Sequence, residues 1–153
     1  MRLLFEISVA VDTPIVIGQD EVNGRRQLIP ITSGTVKGED LFGEAFNGIV
    51  LPGGVDSQVI RPNGTCELSA RYGVKLDDDR SFYIENNGIR TVPDEYAEIV
   101  KNGGFVDPSL YYFATKPTFE VFDRSLEWME KHIFICKATR KPDAVILSYY
   151  VIE

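Results

Sequence analysis

Apolar and polar positions alternate along most of this chain. Leu3, Phe5, Ile7, Val9 and Val11 are interleaved with Leu4, Glu6, Ser8, Ala10 and Asp12, the period of two expected of a strand with one buried face. That strand ends at Asp12-Thr13-Pro14. A polar stretch from Gly18 to Gln27 follows, with Asn23-Gly24 as a turn, and Leu28–Val36 reads as a second strand with Pro30 near its start. A third run covers Leu41–Leu51 with a bend near Asn47-Gly48. The runs Val50–Ile60 and Thr65–Leu76 flank Arg61-Pro62-Asn63-Gly64, and Asn-Gly between alternating runs is a strong hairpin signal. Ser81–Arg90 and Leu110–Phe122 are further strands. Ile133–Thr139 and Ala144–Ile152 form a closing hairpin around Lys141-Pro142-Asp143.

Two segments break the alternation. Pro93–Lys101 carries a proline suited to the first helical position, acids in the first turn and a lysine in the last, which predicts a short helix. Asp123–Lys131 predicts two helical turns with Asp123 as N-cap. No internal repeat or linker divides the chain, so residues 1–153 are expected to form a single domain. Glycines at 34, 38, 43, 48, 53 and 54 mark the bulges and bends that a closed sheet needs at its corners. The expected fold is all-β: a small closed antiparallel β-barrel of about eight to ten strands with one or two short helices.

Composition narrows the function. Lysine plus arginine total 16 against 23 acids, a net charge of -7. This disfavours nucleic acid, whose affinity rests on cationic contacts to phosphate, and disfavours an anionic membrane surface. Cys66 and Cys136, each inside an apolar run, read as packed thiols in a reducing cytoplasm. Glu6 interrupts any secretory apolar core near the start, and no apolar run approaches membrane-spanning length.

Little of the usual catalytic vocabulary is present. His132 is the only histidine, so no zinc spacing is present and any serine or cysteine triad would rest on this one residue; it reads as a general base or, more simply, as a dipole-complementing residue at the end of a short helix. Leu51-Pro52-Gly53-Gly54 lacks the lysine and helix of a phosphate loop and reads as a bend. No metal and no cofactor are expected.

What remains is polar residues within strands. Asp56 and Gln58 share a face with Ile60, and Glu67, Ser69, Arg71 and Lys75 share one face of the next run. Two readings stand. In one, these residues face water and Arg71 pairs with Glu67 or Asp56 on the surface. In the other, Asp56, Gln58 and Arg71 point into a lumen, where a barrel of this size holds one small ligand and arginine grips a carboxylate or enolate as a fork. Asn86 and Arg90 raise the same choice, with solvation in a loop the simpler outcome. Thr115 and Lys116 are ligand-contact candidates. Glu120 lies among aromatics, where burial would suit acid–base work, although an alternating strand places it outward. Tyr149-Tyr150 reads as core or as a subunit contact.

Several blocks resemble a known family. They are Ile29-Pro30-Ile31-Thr32-Ser33-Gly34-Thr35-Val36-Lys37-Gly38, Leu51–Gln58, Arg61-Pro62-Asn63-Gly64-Thr65, Ala70-Arg71-Tyr72, and Tyr112-Phe113 through Phe119-Glu120. Their order and spacing, over about residues 29 to 138, resemble the domain of unknown function family 3237, also called uncharacterised protein family 0311. Ser33 stands where the pattern has glycine. The resemblance implies a small closed β-barrel and no established activity. It adds weight to Asp56, Gln58 and Arg71, which stand inside the matching blocks.

Three functional expectations follow. The first is a small-molecule-binding barrel, its ligand a small organic acid or aromatic compound held by Asp56, Gln58, Arg71, Asn86 and Thr115. The second is a metal-independent cyclase, isomerase or hydratase in the same lumen, in which Arg71 stabilises an oxyanion and Asp56 or Glu120 moves the proton. The third is a structural module that forms homo-oligomers without a ligand.

Overall fold

The two ends of the chain meet, and their meeting closes the sheet. The computed structural model describes residues 1–153. Its first strand, β1 (Arg2–Val11), is antiparallel to the last, β10 (Ala144–Ile152), on one side and to β3 (Gly24–Gly38) on the other. The remaining strands are β2 (Ile15–Asp20), β4 (Gly48–Val50), β5 (Gly54–Ile60), β6 (Cys66–Leu76), β7 (Ser81–Thr91), β8 (Tyr112–Val121) and β9 (Ile133–Arg140). The order around the wall runs β1-β10-β9-β8-β7-β6, then β4 and β5, then β3 and back to β1. β4 and β5 occupy one position between β6 and β3, and β1 and β2 lie in succession along β3. The ten strands therefore make an eight-position closed antiparallel barrel, which leaves few free edges.

The local signals translate into these elements with three differences. β2 covers Ile15–Ile17, which no expected element included, and the first residues of the expected polar stretch, whose last four, Gly24–Gln27, begin β3; all six β2 residues are exposed, so no buried face marks it in the sequence. The expected strand over Leu41–Leu51 survives only as β4. Asp40 accepts the backbone N–H groups of Phe42 and Glu44, and that local turn competes with a ladder. Arg124–Met129 is a 3₁₀ stretch capped by Asp123, which accepts from the Ser125 N–H. The helix expected after Pro93 is present as α1 (Asp94–Lys101).

The β5–β6 hairpin turns through Arg61–Thr65. Gly64 sits at φ +90, and the Arg61 N–H donates to the Thr65 carbonyl at 2.8 Å. Five loop residues set the register Ile60↔Cys66, hence Asp56↔Ala70.

The interior is divided along the barrel axis. One half is aromatic: Phe5 stacks on Tyr149 at 4.7 Å and meets Phe46 at the same separation, and Phe119 meets Phe134 edge-on at 5.1 Å. Leu126, Trp128 and Met129 of the 3₁₀ stretch plug that end and are buried. The same strands carry smaller and polar inward residues towards their other ends. There α1 and the loop after it lie across the mouth, with Val100 and Val106 buried.

Candidate ligand site in the barrel lumen

The polar half of the interior encloses a cavity of about 40 Å3. Its apolar wall comes from β1 (Val9, Val11), β3 (Ile29, Ile31), β6 (Leu68, Ala70) and β10 (Val145, Leu147). Its polar groups come from four strands: Asp56 and Gln58 on β5, Asn86 and Arg90 on β7, Thr115 on β8 and Arg140 on β9. Each obeys period two. Asn86 and Arg90 continue the inward parity of Phe82 and Ile84, and Arg140 continues that of Phe134, Cys136 and Ala138.

Three side chains form a relay on the β3–β5 wall. Gln27 Nε2 donates to Gln58 Oε1 at 2.9 Å, and Gln58 Nε2 donates to Asp56 Oδ2 at 2.8 Å. The other carboxyl oxygen, Asp56 Oδ1, has no protein partner. Loss of water pushes the Asp56 carboxyl above its ordinary range. Donation from Gln58, the charge of Arg90, the nearby Ser69 backbone and the charge of Arg140 pull the other way and are outweighed.

Neither arginine of the cavity has an anion beside it. The ion pairs of the chain all involve other residues. Arg90 is 7% exposed and its guanidinium lies over the Phe113 ring, 5.4 Å from the centroid. Arg140 is 8% exposed, and burial together with the Arg90 charge lowers its pKa. Two buried cations facing one cavity, with a carboxyl that resists ionisation as their nearest counter-charge, leave the site short of negative charge.

Away from the arginines the cavity is floored by neutral polar groups. The Tyr72 and Tyr149 hydroxyls share a hydrogen bond at 3.2 Å. Asn86 Oδ1 and Thr115 Oγ1 are buried without a conventional partner. The Cys136 thiol lies beside Asn86, Thr115 and Tyr149, and as a weak donor it can serve one of them at most.

Of the residues singled out from sequence, Asp56, Gln58, Asn86 and Thr115 are brought together around this cavity. Arg71 is not. The register Asp56↔Ala70 puts it on the outer face, where it donates to Glu85 at 3.1 Å with 55% and 40% of the two side chains exposed. Glu120 is also outside, exposed opposite Tyr83, and Lys116 is exposed. Both catalytic assignments resting on Arg71 and Glu120 are therefore corrected. Arg90, expected in a solvated loop, is instead buried near the end of a strand. Arg140 and Gln27 were overlooked, although the inward parity running through Cys136 and Ala138 reaches Arg140. His132 Nδ1–H donates to the Trp128 carbonyl oxygen, 2.8 Å away, and the ring lies outside the cavity.

Two wider clefts flank α1 at the mouth. One, of about 580 Å3, is lined by Arg25, Arg61, Arg90 and Lys101 among others. The second, of about 460 Å3, includes Arg25, Gln27, Lys101 and Arg140. Arg90 and Arg140 thus each line the lumen and one of these clefts.

A closed eight-position antiparallel barrel defines the class of protein. The chain belongs to the family described as a protein of unknown function, DUF3237, which it matches over residues 1–152. It is 60% identical over 150 residues to a UPF0311 protein of Clostridium acetobutylicum, covering 98% of this chain and 92% of that one. A crystal structure of a protein with unknown function from the same species superposes with a TM-score of 0.89 at 58% identity, covering 99% of this chain and 95% of that chain. A beta-barrel like protein from Acinetobacter baumannii superposes with a TM-score of 0.83 at 28% identity, covering 99% and 94%. No helix is long and apolar enough to cross a membrane.

Proposed function

We propose that this protein binds a small organic anion in the lumen of its barrel. The carrying observation is the pair of buried guanidiniums, Arg90 and Arg140, that face the cavity without an ion pair. An unpaired buried cation is costly, and an incoming carboxylate, enolate or phenolate would relieve that cost while accepting forked hydrogen bonds. The apolar wall would hold the organic skeleton.

The cavity of about 40 Å3 holds roughly two or three waters, whereas a dry cavity of about 150 Å3 is what admits benzene. Binding must therefore widen the site. The segment over the mouth suits that role. The hydrogen bonds of residues 93–110 run within the segment, and it is held to the barrel by apolar burial such as that of Val100 and Val106. Both cysteines are free and buried, which fits the reducing cytoplasm expected from their number.

A thermal-shift and calorimetric screen of small carboxylates and phenols tests the reading, because a ligand bound to the native state alone raises the midpoint. Hits whose affinity drops at least about tenfold in Arg90→Met and Arg140→Met support it. No stabilising anion, or hits indifferent to both substitutions, would sink it.

The state of Asp56 favours a second reading, an acid–base enzyme. A carboxyl pushed up by burial and standing near two cations can hold a proton and pass it to or from a bound enolate. Proton exchange at the α-carbon of a bound acid, lost in Asp56→Asn with binding retained, would separate enzyme from binder.

A further inference from the structure

We infer that the ligand is a hydroxylated organic acid, with its carboxylate at Arg90 and Arg140 and a neutral hydroxyl at Asn86 and Thr115. This rests on the reading of the lumen as an anion site and adds the chemistry of the ligand's other end. Asn86 and Arg90 face inward on the same strand, four residues apart, so their backbones are separated by about 13 Å at ~3.3 Å per residue. Thr115 stands opposite Gly88, between them. The cavity is therefore polarised along its length, with cations at the α1 end and neutral acceptors further in.

Those inner groups lack donors. Asn86 is 2% exposed and Thr115 6%, and Asn86 Oδ1, Thr115 Oγ1 and Asp56 Oδ1 all lack a conventional hydrogen-bond partner. Buried acceptors are almost always satisfied, so the site is built to receive a donor. An ammonium donor is disfavoured, since it would add a third positive charge to a buried site already holding two unpaired guanidiniums. A hydroxyl has no such penalty, donates to Asn86 Oδ1 and can also accept from Thr115. Gly88 lets β8 pack closely against β7 beside Thr115, because a Cβ there would lie 2.5 Å from Thr115 Cγ2 and 2.3 Å from the Ala114 carbonyl oxygen.

The test compares matched acids by calorimetry: hexanoate with 6-hydroxyhexanoate, and benzoate with 4-hydroxybenzoate. The expected result is tighter binding of at least one hydroxylated member by about fivefold or more, the worth of a net hydrogen bond. That gain, read within each variant as the ratio of hydroxylated to parent affinity, should vanish in Asn86→Leu and Thr115→Val. Both substitutions remove an unsatisfied buried group at near-constant shape, so the variants should fold, which unfolding midpoints check. Parent and hydroxylated acids binding equally well, with both abolished by Arg90→Met, would overturn the hydroxyl assignment and leave the anion site standing. Binding of no acid by the wild type would remove both.

Discussion

Gln58 donates a 2.8 Å hydrogen bond to Asp56, two residues before it on the same face of β5, while itself accepting from Gln27 on β3. Gln58 thus satisfies one oxygen of a buried carboxyl and anchors it to the neighbouring strand. Replacing it with leucine would strand Gln27 Nε2 and Asp56 Oδ2 together. We expect Gln58→Leu to cost about 2–4 kcal/mol, the penalty for two buried polar atoms losing their partners, read from urea unfolding midpoints.

Asp56 should make stability depend on pH in an unusual direction. Its folded pKa lies above the unfolded value of about 3.8, so the folded state holds the proton more tightly. The contribution is fully present below the unfolded pKa and is lost as pH rises through the folded one. Asp56→Asn keeps an acceptor for Gln58 and abolishes the titration. The stability of the wild type relative to this variant should fall with increasing pH above about 3.8. A pH-independent difference between the two would contradict the shift.

Arg71 tests the correction made by the register. Its pair with Glu85 is more than a third exposed on both sides. Arg71→Met should change stability by well under about 1 kcal/mol and leave ligand binding intact. A loss of several kcal/mol would mean the residue is buried after all.

The two thiols should be silent in the native state. Burial pushes Cys66 up to about 11 and Cys136 up to about 12, so almost no thiolate is present at neutral pH. Iodoacetamide should label neither in native buffer and both in denaturant, as counted by mass spectrometry.

Hydrogen exchange should single out residues 93–110. Their hydrogen bonds do not tie them to the barrel ladder, so this segment should exchange far sooner than β7 and β10, and slow when a lumen ligand binds. Protection equal to that of the barrel strands would rule it out as the route of access.

Sequence by itself determined a good deal. Period two sorted Asp56 with Gln58, and the Asn-Gly loop placed the β5–β6 hairpin. The motif blocks pointed to a barrel, and Pro93–Lys101 read as a helix because its end signals are local. These features depend on a residue and its near neighbours. Arg71 and Arg90 show where local reasoning ended. Alternation tells which residues share a face and leaves open which face turns inward. A shift of one residue in the β5–β6 register would have turned Arg71 into the lumen. The register, and with it the face, was decided by long-range pairing: β1 with both β3 and β10, and β6 with β5 and β7. Closure also brought Arg90 and Arg140 to one cavity from strands 50 residues apart in sequence, with Asp56 across from them. Convergence of that kind has no signature in any short window, because the energy that enforces it comes from burying the inner face of the whole barrel at once.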